Sequence, residues 1–126
     1  MVKKMKIAIP CGNNNGLESE VSTHFGRSPY YAFVDVDDNR IKNVEVIPVP
    51  LAEHELGDLP NFVKENNGTV VIAYGMGRRA VDFFKQLGID VITGVSGNVK
   101  DAVESFMKGD LKMDKDWESK EEFGHH

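Results

Sequence analysis

Apolar positions alternate or form short runs in the first half of the chain, and recur three and four residues apart in much of the second. A period of two marks strands and a period near 3.6 marks helices. Lys6–Pro10 reads as a short buried strand, followed by a loop over 11–28 with little periodicity. Tyr30–Asp37 alternates, which predicts Tyr31 and Phe33 on one face and Ala32, Val34 and Val36 on the other. After a turn over Asp37–Arg40 comes a third strand, Ile41–Val49. Its Lys42, Asn43 and Glu45 suit a sheet edge, and Pro48 and Pro50 end it.

A second loop covers 50–58, with His54 near its middle. A short helix is predicted over Leu59–Asn66, with Asp58 as N-cap, Pro60 in the first turn and Gly68 after the end. Thr69–Ala73 is a continuous apolar run, as in a central parallel strand. Gly77–Leu87 places Ala80, Val81, Phe84 and Leu87 on one helical face. Ile89–Thr93 is the next strand. Asn98–Lys108 sets Val99, Ala102, Val103 and Phe106 at helical spacing, and Gly109 closes it.

The order β-β-β-α-β-α-β-α makes an α/β domain. A three-stranded meander followed by right-handed βαβ units gives a mixed five-stranded sheet with three helices. The economical strand order is 3-2-1-4-5, with strand 2 antiparallel to strand 1. Residues 1–109 form the domain. Residues 110–126 are dominated by charge and read as a tail, mobile or loosely docked through Trp117.

A length of 126 residues suits one domain with a real core. Fifteen Lys plus Arg against twenty Asp plus Glu leave a net charge of −5. That argues against broad nucleic-acid or anionic-membrane binding. Any anion site must be local. One cysteine allows no internal disulfide and fits a reducing compartment. It also falls short of the roughly four cysteines of a conventional iron–sulfur site. No apolar run approaches a membrane span or a signal-peptide core, so a cytoplasmic location is expected.

The predicted topology gathers several chemically distinctive residues at one edge, where the parallel strands end and α/β folds usually bind ligands. Cys11, His24 and His54 fall there, as do the helix-opening turns Gly75-Met76-Gly77 and Ser96-Gly97. A thiol, imidazoles and helix N-termini suit a small anion or an anionic metal cluster. Cys11, His24 and His54 are the candidate metal ligands. Each also has a structural reading: a buried thiol for Cys11, turn or surface imidazoles for the two histidines. Arg27 reads as an anion contact or a structural fork. Met76 offers a thioether or a packing side chain. His125 and His126 are read as tail residues.

The residues carry a resemblance. The start Met-Lys-Ile-Ala-Ile-Pro and the run His24-Phe25-Gly26-Arg27-Ser28-Pro29-Tyr30 resemble the dinitrogenase iron–molybdenum cofactor biosynthesis family. So do Gly75-Met76-Gly77-Arg78-Arg79-Ala80, the turn Leu87-Gly88-Ile89, and Ser96-Gly97 before the last helix. The resemblance spans about residues 5–109. It implies a ribonuclease-H-like fold and non-covalent binding or transfer of an iron–sulfur or iron–molybdenum-type cluster. The family includes a protein holding a molybdenum–copper sulfide cluster without covalent bonds. His24 inherits the role of cluster contact. Phe25, Gly26, Arg27, Gly75, Met76, Gly77, Ser96 and Gly97 are the further expected cofactor-binding positions. Cluster donor and acceptor proteins are the expected partners, and no catalysis is expected.

Three other classes fit parts of the sequence. Gly75-x-Gly77-x-x-Ala80 follows a strand and opens a helix, as a dinucleotide site requires. The acidic residue expected about 20 positions on is missing, since that stretch reads Val91-Ile92-Thr93-Gly94. A nuclease of this fold would need clustered carboxylates, and strands 1 and 4 carry none. An interaction or regulatory module without a cluster is the alternative that survives.

Overall fold

A computed structural model describes residues 4–23, 28–49, 58–109 and 111. Five strands form one mixed sheet in the order β3-β2-β1-β4-β5. They are β1 (Lys4–Cys11), β2 (Tyr30–Asp37), β3 (Arg40–Pro48), β4 (Val70–Ile72) and β5 (Asp90–Ile92). Three helices, α1 (Asp58–Glu65), α2 (Arg78–Gln86) and α3 (Val99–Lys108), cover the faces. β1 runs antiparallel to β2 and parallel to β4, and β4 runs parallel to β5. This is the order that the hydrophobic pattern implies.

The β2–β3 hairpin turns through Asp38 and Asn39, both with positive φ (55° and 61°). Two left-handed residues make the turn whose twist matches the flanking strands, and Asp and Asn tolerate that geometry. The alternation in β2 then sorts its side chains. Tyr31 and Phe33 join Leu59, Phe62 and Val63 of α1 and Ala80 and Phe84 of α2. Phe62 meets the rings of Tyr31 and Phe33 edge-on, with centroids 5.7 and 6.0 Å apart. Ala32, Val34 and Val36 join Val99, Ala102 and Val103 of α3 on the opposite face.

Boundaries move by one or two residues. β1 extends to Cys11, and β3 is Arg40–Pro48 rather than Ile41–Val49. Asp58 is the first helical residue of α1 instead of its cap. The left-handed residue after α1 is Asn67 (φ 67°). Gly68 serves another purpose, because a Cβ there would lie 2.5 Å from Val63 Cγ1.

The larger difference concerns the loop after β1. Its first half is packed. Gly16–Glu18 forms a short 3₁₀ turn, Ser19 is fully buried and Val21 is 7% exposed. Backbone pairing explains this. Ser22 N–H donates to Pro10 O, Gly12 N–H to Glu20 O, and Glu20 bridges to Asn98. A stretch without periodicity thus behaves as an irregular extension of the sheet.

Candidate functional site

Three connections meet where β1, β4 and β5 end. The β5–α3 loop is tied to the β4–α2 loop, since Gly94 N–H donates to Tyr74 O (2.7 Å) and Val95 N–H to Ala73 O (3.2 Å). It is also tied to the loop after β1, since Val21 N–H donates to Gly97 O (2.8 Å) and Val99 N–H to Ser19 O (2.9 Å). Gly97, whose carbonyl takes the Val21 bond, has φ +103°, a conformation L side chains rarely adopt. The structure therefore brings Gly75, Met76, Gly77, Ser96 and Gly97 to one edge, on a frame fixed by main-chain bonds.

Their exposures differ. Gly77, Ser96 and Gly97 are exposed, whereas Gly75 is buried and Met76 is 2% exposed within the core beneath α1 and α2. Met76 is a packing side chain. Cys11 also sits in the core, fully buried among the residues under α3. Its Sγ–H donates to Ile9 O at 3.1 Å. Burial pushes the thiol up to about 12, against a smaller downward pull from the Ala32 backbone. At neutral pH Cys11 is a protonated thiol, and metal ligation needs the thiolate. In the structure Cys11 is a buried free thiol. His24, Phe25, Gly26, Arg27 and His54 lie outside the described residues. Among the described residues, no three His, Cys, Asp or Glu side chains gather as a metal centre.

The two helix N-termini at this edge are not equivalent. At α3, Asn98 caps the helix, its Oδ1 accepting from Asp101 N–H at 2.8 Å, and Asp101 adds negative charge to the first turn. Val99 N–H is taken by Ser19 O. That terminus is satisfied by the protein itself. At α2, the N-cap is Gly77, with no side-chain cap bond and no acid in the first turn. The first bond of the helix is Val81 N–H to Gly77 O. Helix geometry leaves the N–H groups of Arg78, Arg79 and Ala80 without intrahelical acceptors. Arg78 and Arg79 are exposed and add positive charge at the positive end of the dipole. The glycine turns alone make both termini look alike and do not single out these arginines. The Asn98-x-x-Asp101 spacing, a capping pattern, was the available signal.

A cavity of about 390 Å³ lies elsewhere, at the opposite end of the sheet, lined in part by Lys4, Lys6, Lys42, Asp35 and Asp37. Lys6 and Asp35 already pair there at 3.7 Å. Its mixed charge does not suit an anionic ligand.

Comparison with known proteins settles the family. The profile described as "Dinitrogenase iron-molybdenum cofactor" matches residues 5–109, all three helices and all of the sheet but Lys4. The chain belongs to this family. Protein MJ0580 of Methanocaldococcus jannaschii is 33% identical over 114 residues, covering 88% of this chain and 92% of that protein. The crystal structure of PH0822 has 48% identity and a TM-score of 0.84, covering 90% of this chain and 99% of the other. The apo form of the orange protein from Desulfovibrio gigas has 21% identity and a TM-score of 0.73, covering 88% of this chain and 93% of the other, which shows a shared fold. As a family member the chain is a small cluster-related domain. Among its described residues, no helix is long and apolar enough to cross a membrane.

Proposed function

We propose that the protein binds an iron–sulfur or iron–molybdenum-type cluster non-covalently at this edge and passes it on, acting as an accessory carrier rather than an enzyme. The observation that carries the reading is the N-terminus of α2, uncapped by any side chain among the described residues and flanked by exposed Arg78 and Arg79, on a frame where the neighbouring terminus is capped by Asn98. Sulfide-rich clusters are anionic, and such a terminus offers N–H donors and positive potential together. Gly77 leaves open space where a side chain would stand, with nothing within 4 Å of its hypothetical Cβ. The cluster approaches the backbone there. Exposed Ser96 and Gly97 form the adjoining rim. His24 supplies a borderline-soft ligand, a role that rests on the family motif. The family match supports the class of cargo, and the described fold contributes the cradle.

Binding and release need no bond made or broken in the protein. Cluster-donor and cluster-acceptor proteins are its partners in this reading. The test is anaerobic reconstitution with iron, sulfide and molybdate, followed by gel filtration, metal and sulfide analysis and an absorption spectrum. Co-elution of stoichiometric metal and sulfide with the protein is the expected result. A metal-free protein peak under conditions that load a known cluster carrier would favour the interaction-module reading instead.

A further inference from the structure

The sequence holds two Asn-Gly pairs, Asn15-Gly16 and Asn67-Gly68. Such a pair carries its own chemistry. The glycine nitrogen can attack the side-chain carbonyl of the asparagine before it, and glycine has no side chain to obstruct the approach. The fold treats the two pairs differently.

Asn67-Gly68 is locked. Asn67 is left-handed after the end of α1 (φ 67°), and Gly68 N–H donates to Val63 O at 2.9 Å. Gly68 is buried, and a Cβ there would lie 2.5 Å from Val63 Cγ1. Its nitrogen reaches Asn67 Cγ only by giving up the bond that closes α1.

Asn15-Gly16 is open. Asn15 is exposed and precedes the 3₁₀ turn Gly16–Glu18, yet its side chain makes no cap bond. A helical turn leaves its first N–H groups without partners inside the turn. Among the described residues, nothing accepts from Gly16 N–H. Nor does any atom lie within 4 Å of a hypothetical Cβ on Gly16. Carboxamide and nitrogen are therefore adjacent and both unengaged. The attack needs a turn about ψ of Asn15, now 31°. A single bond through the Asn15 carbonyl, from Glu18 N–H at 3.1 Å, opposes it.

We propose that Asn15 is a site of spontaneous covalent modification, passing through a succinimide to aspartate and isoaspartate, and that the isoaspartyl product unlatches the loop after β1. Gly16 N bonds to Asn15 Cγ and the Cγ–Nδ2 bond breaks. Nδ2 leaves as ammonia, taking the Gly16 amide proton. Water then opens the ring. Cleavage at Cγ gives aspartate, and cleavage at the main-chain carbonyl gives isoaspartate, whose chain runs through Cβ and Cγ. No atom changes oxidation state. The isoaspartyl link adds one carbon to the main chain and displaces the carbonyl that takes Glu18 N–H. It does so beside the Asn15 N–H bond to Ser19 Oγ (2.8 Å). Ser19 is fully buried and its own carbonyl takes Val99 N–H, so the change reaches the first turn of α3.

The test incubates the full chain, folded and in urea, in warm, mildly alkaline buffer and follows the one-dalton gain by mass spectrometry. Tryptic peptides 7–27 and 65–78 carry the two pairs separately. In urea both pairs should react at similar rates. In the folded chain Asn15 should keep reacting while Asn67 slows several-fold, with fragmentation placing the gain on Asn15 and not on Asn13 or Asn14. Suppression of Asn15 as strong as that of Asn67 would overturn the site. The isoaspartyl fraction should then show several-fold faster hydrogen exchange at Val99 than fresh protein, with β4 unchanged. Asn15→Asp adds the charge without rerouting the chain and should keep its protection. Equal protection in the isoaspartyl fraction and fresh protein, or an equal loss in Asn15→Asp, would overturn the unlatching.

Discussion

The amide of Val21 donates to the carbonyl of Gly97 across 2.8 Å, joining the loop after β1 to the turn that opens α3. The bond depends on Gly97 at φ +103° and on a buried Val21. It converts a segment of polar sequence into part of the frame at the sheet edge where β1, β4 and β5 end.

Hydrogen exchange should reflect this clasp. The amides of Val21, Ser22 and Val99 should be protected together, close to those of Val70–Ile72, because they are bonded in one frame. Gly97→Ala places an L side chain in a strained region, costing about 1–3 kcal/mol. Protection at Val21 should fall far more than protection in β4. Equal loss everywhere would mean that the clasp has no local role.

Cys11 should lower stability in alkali. Its ordinary value of 9.0 rises to about 12 in the fold because burial disfavours the thiolate. The unfolded chain releases this proton above pH 9 and the folded chain does not, so stability is full below pH 9 and is lost as pH rises toward 12. The slope approaches about 1.4 kcal/mol per pH unit. Burial, and secondarily the charge of Cys11, also raises Tyr31 well above its usual range, which adds a second loss above pH 10. Thermal melts of Cys11→Ala should be flat from pH 9 to 10, where the unmodified chain declines. Equal declines in both would assign the effect elsewhere. The native thiol should also resist a disulfide reagent that labels the unfolded chain at once.

These two cases show what was legible in the sequence. The strand order follows from Tyr30–Asp37 alternating, from Thr69–Ala73 being apolar throughout, and from glycine-closed helices with one clean face. The packed loop after β1 was not legible, because Ser19 and Val21 are held by bonds to residues 97–99 that no local period encodes. Cys11 was ambiguous for a similar reason. One residue of extra strand decides whether its side chain faces the core or the mouth. The unequal helix termini were readable from Asn98 and Asp101, since capping is local chemistry.

His24 should be dispensable for folding and needed for cargo. His24→Ala should change stability within about 0.5 kcal/mol. Retention of a reconstituted cluster should fall sharply. A large drop in melting temperature with unchanged cluster retention would make the residue structural. Unchanged melting and retention would pass the ligand role to His54.

The most direct test of the cradle uses Gly77, whose φ of −63° and open surroundings accept any side chain. Gly77→Asn and Gly77→Asp both supply the missing cap, and each should stabilise the fold by about 0.5–1 kcal/mol. They differ by one negative charge at the proposed anion site. After anaerobic reconstitution with iron, sulfide and molybdate, metal and sulfide retained through gel filtration are measured for all three chains. The unmodified protein should retain the cluster, Gly77→Asn should retain part of it, and Gly77→Asp should lose it despite a higher melting temperature. Equal retention in Gly77→Asp and the unmodified chain would contradict it.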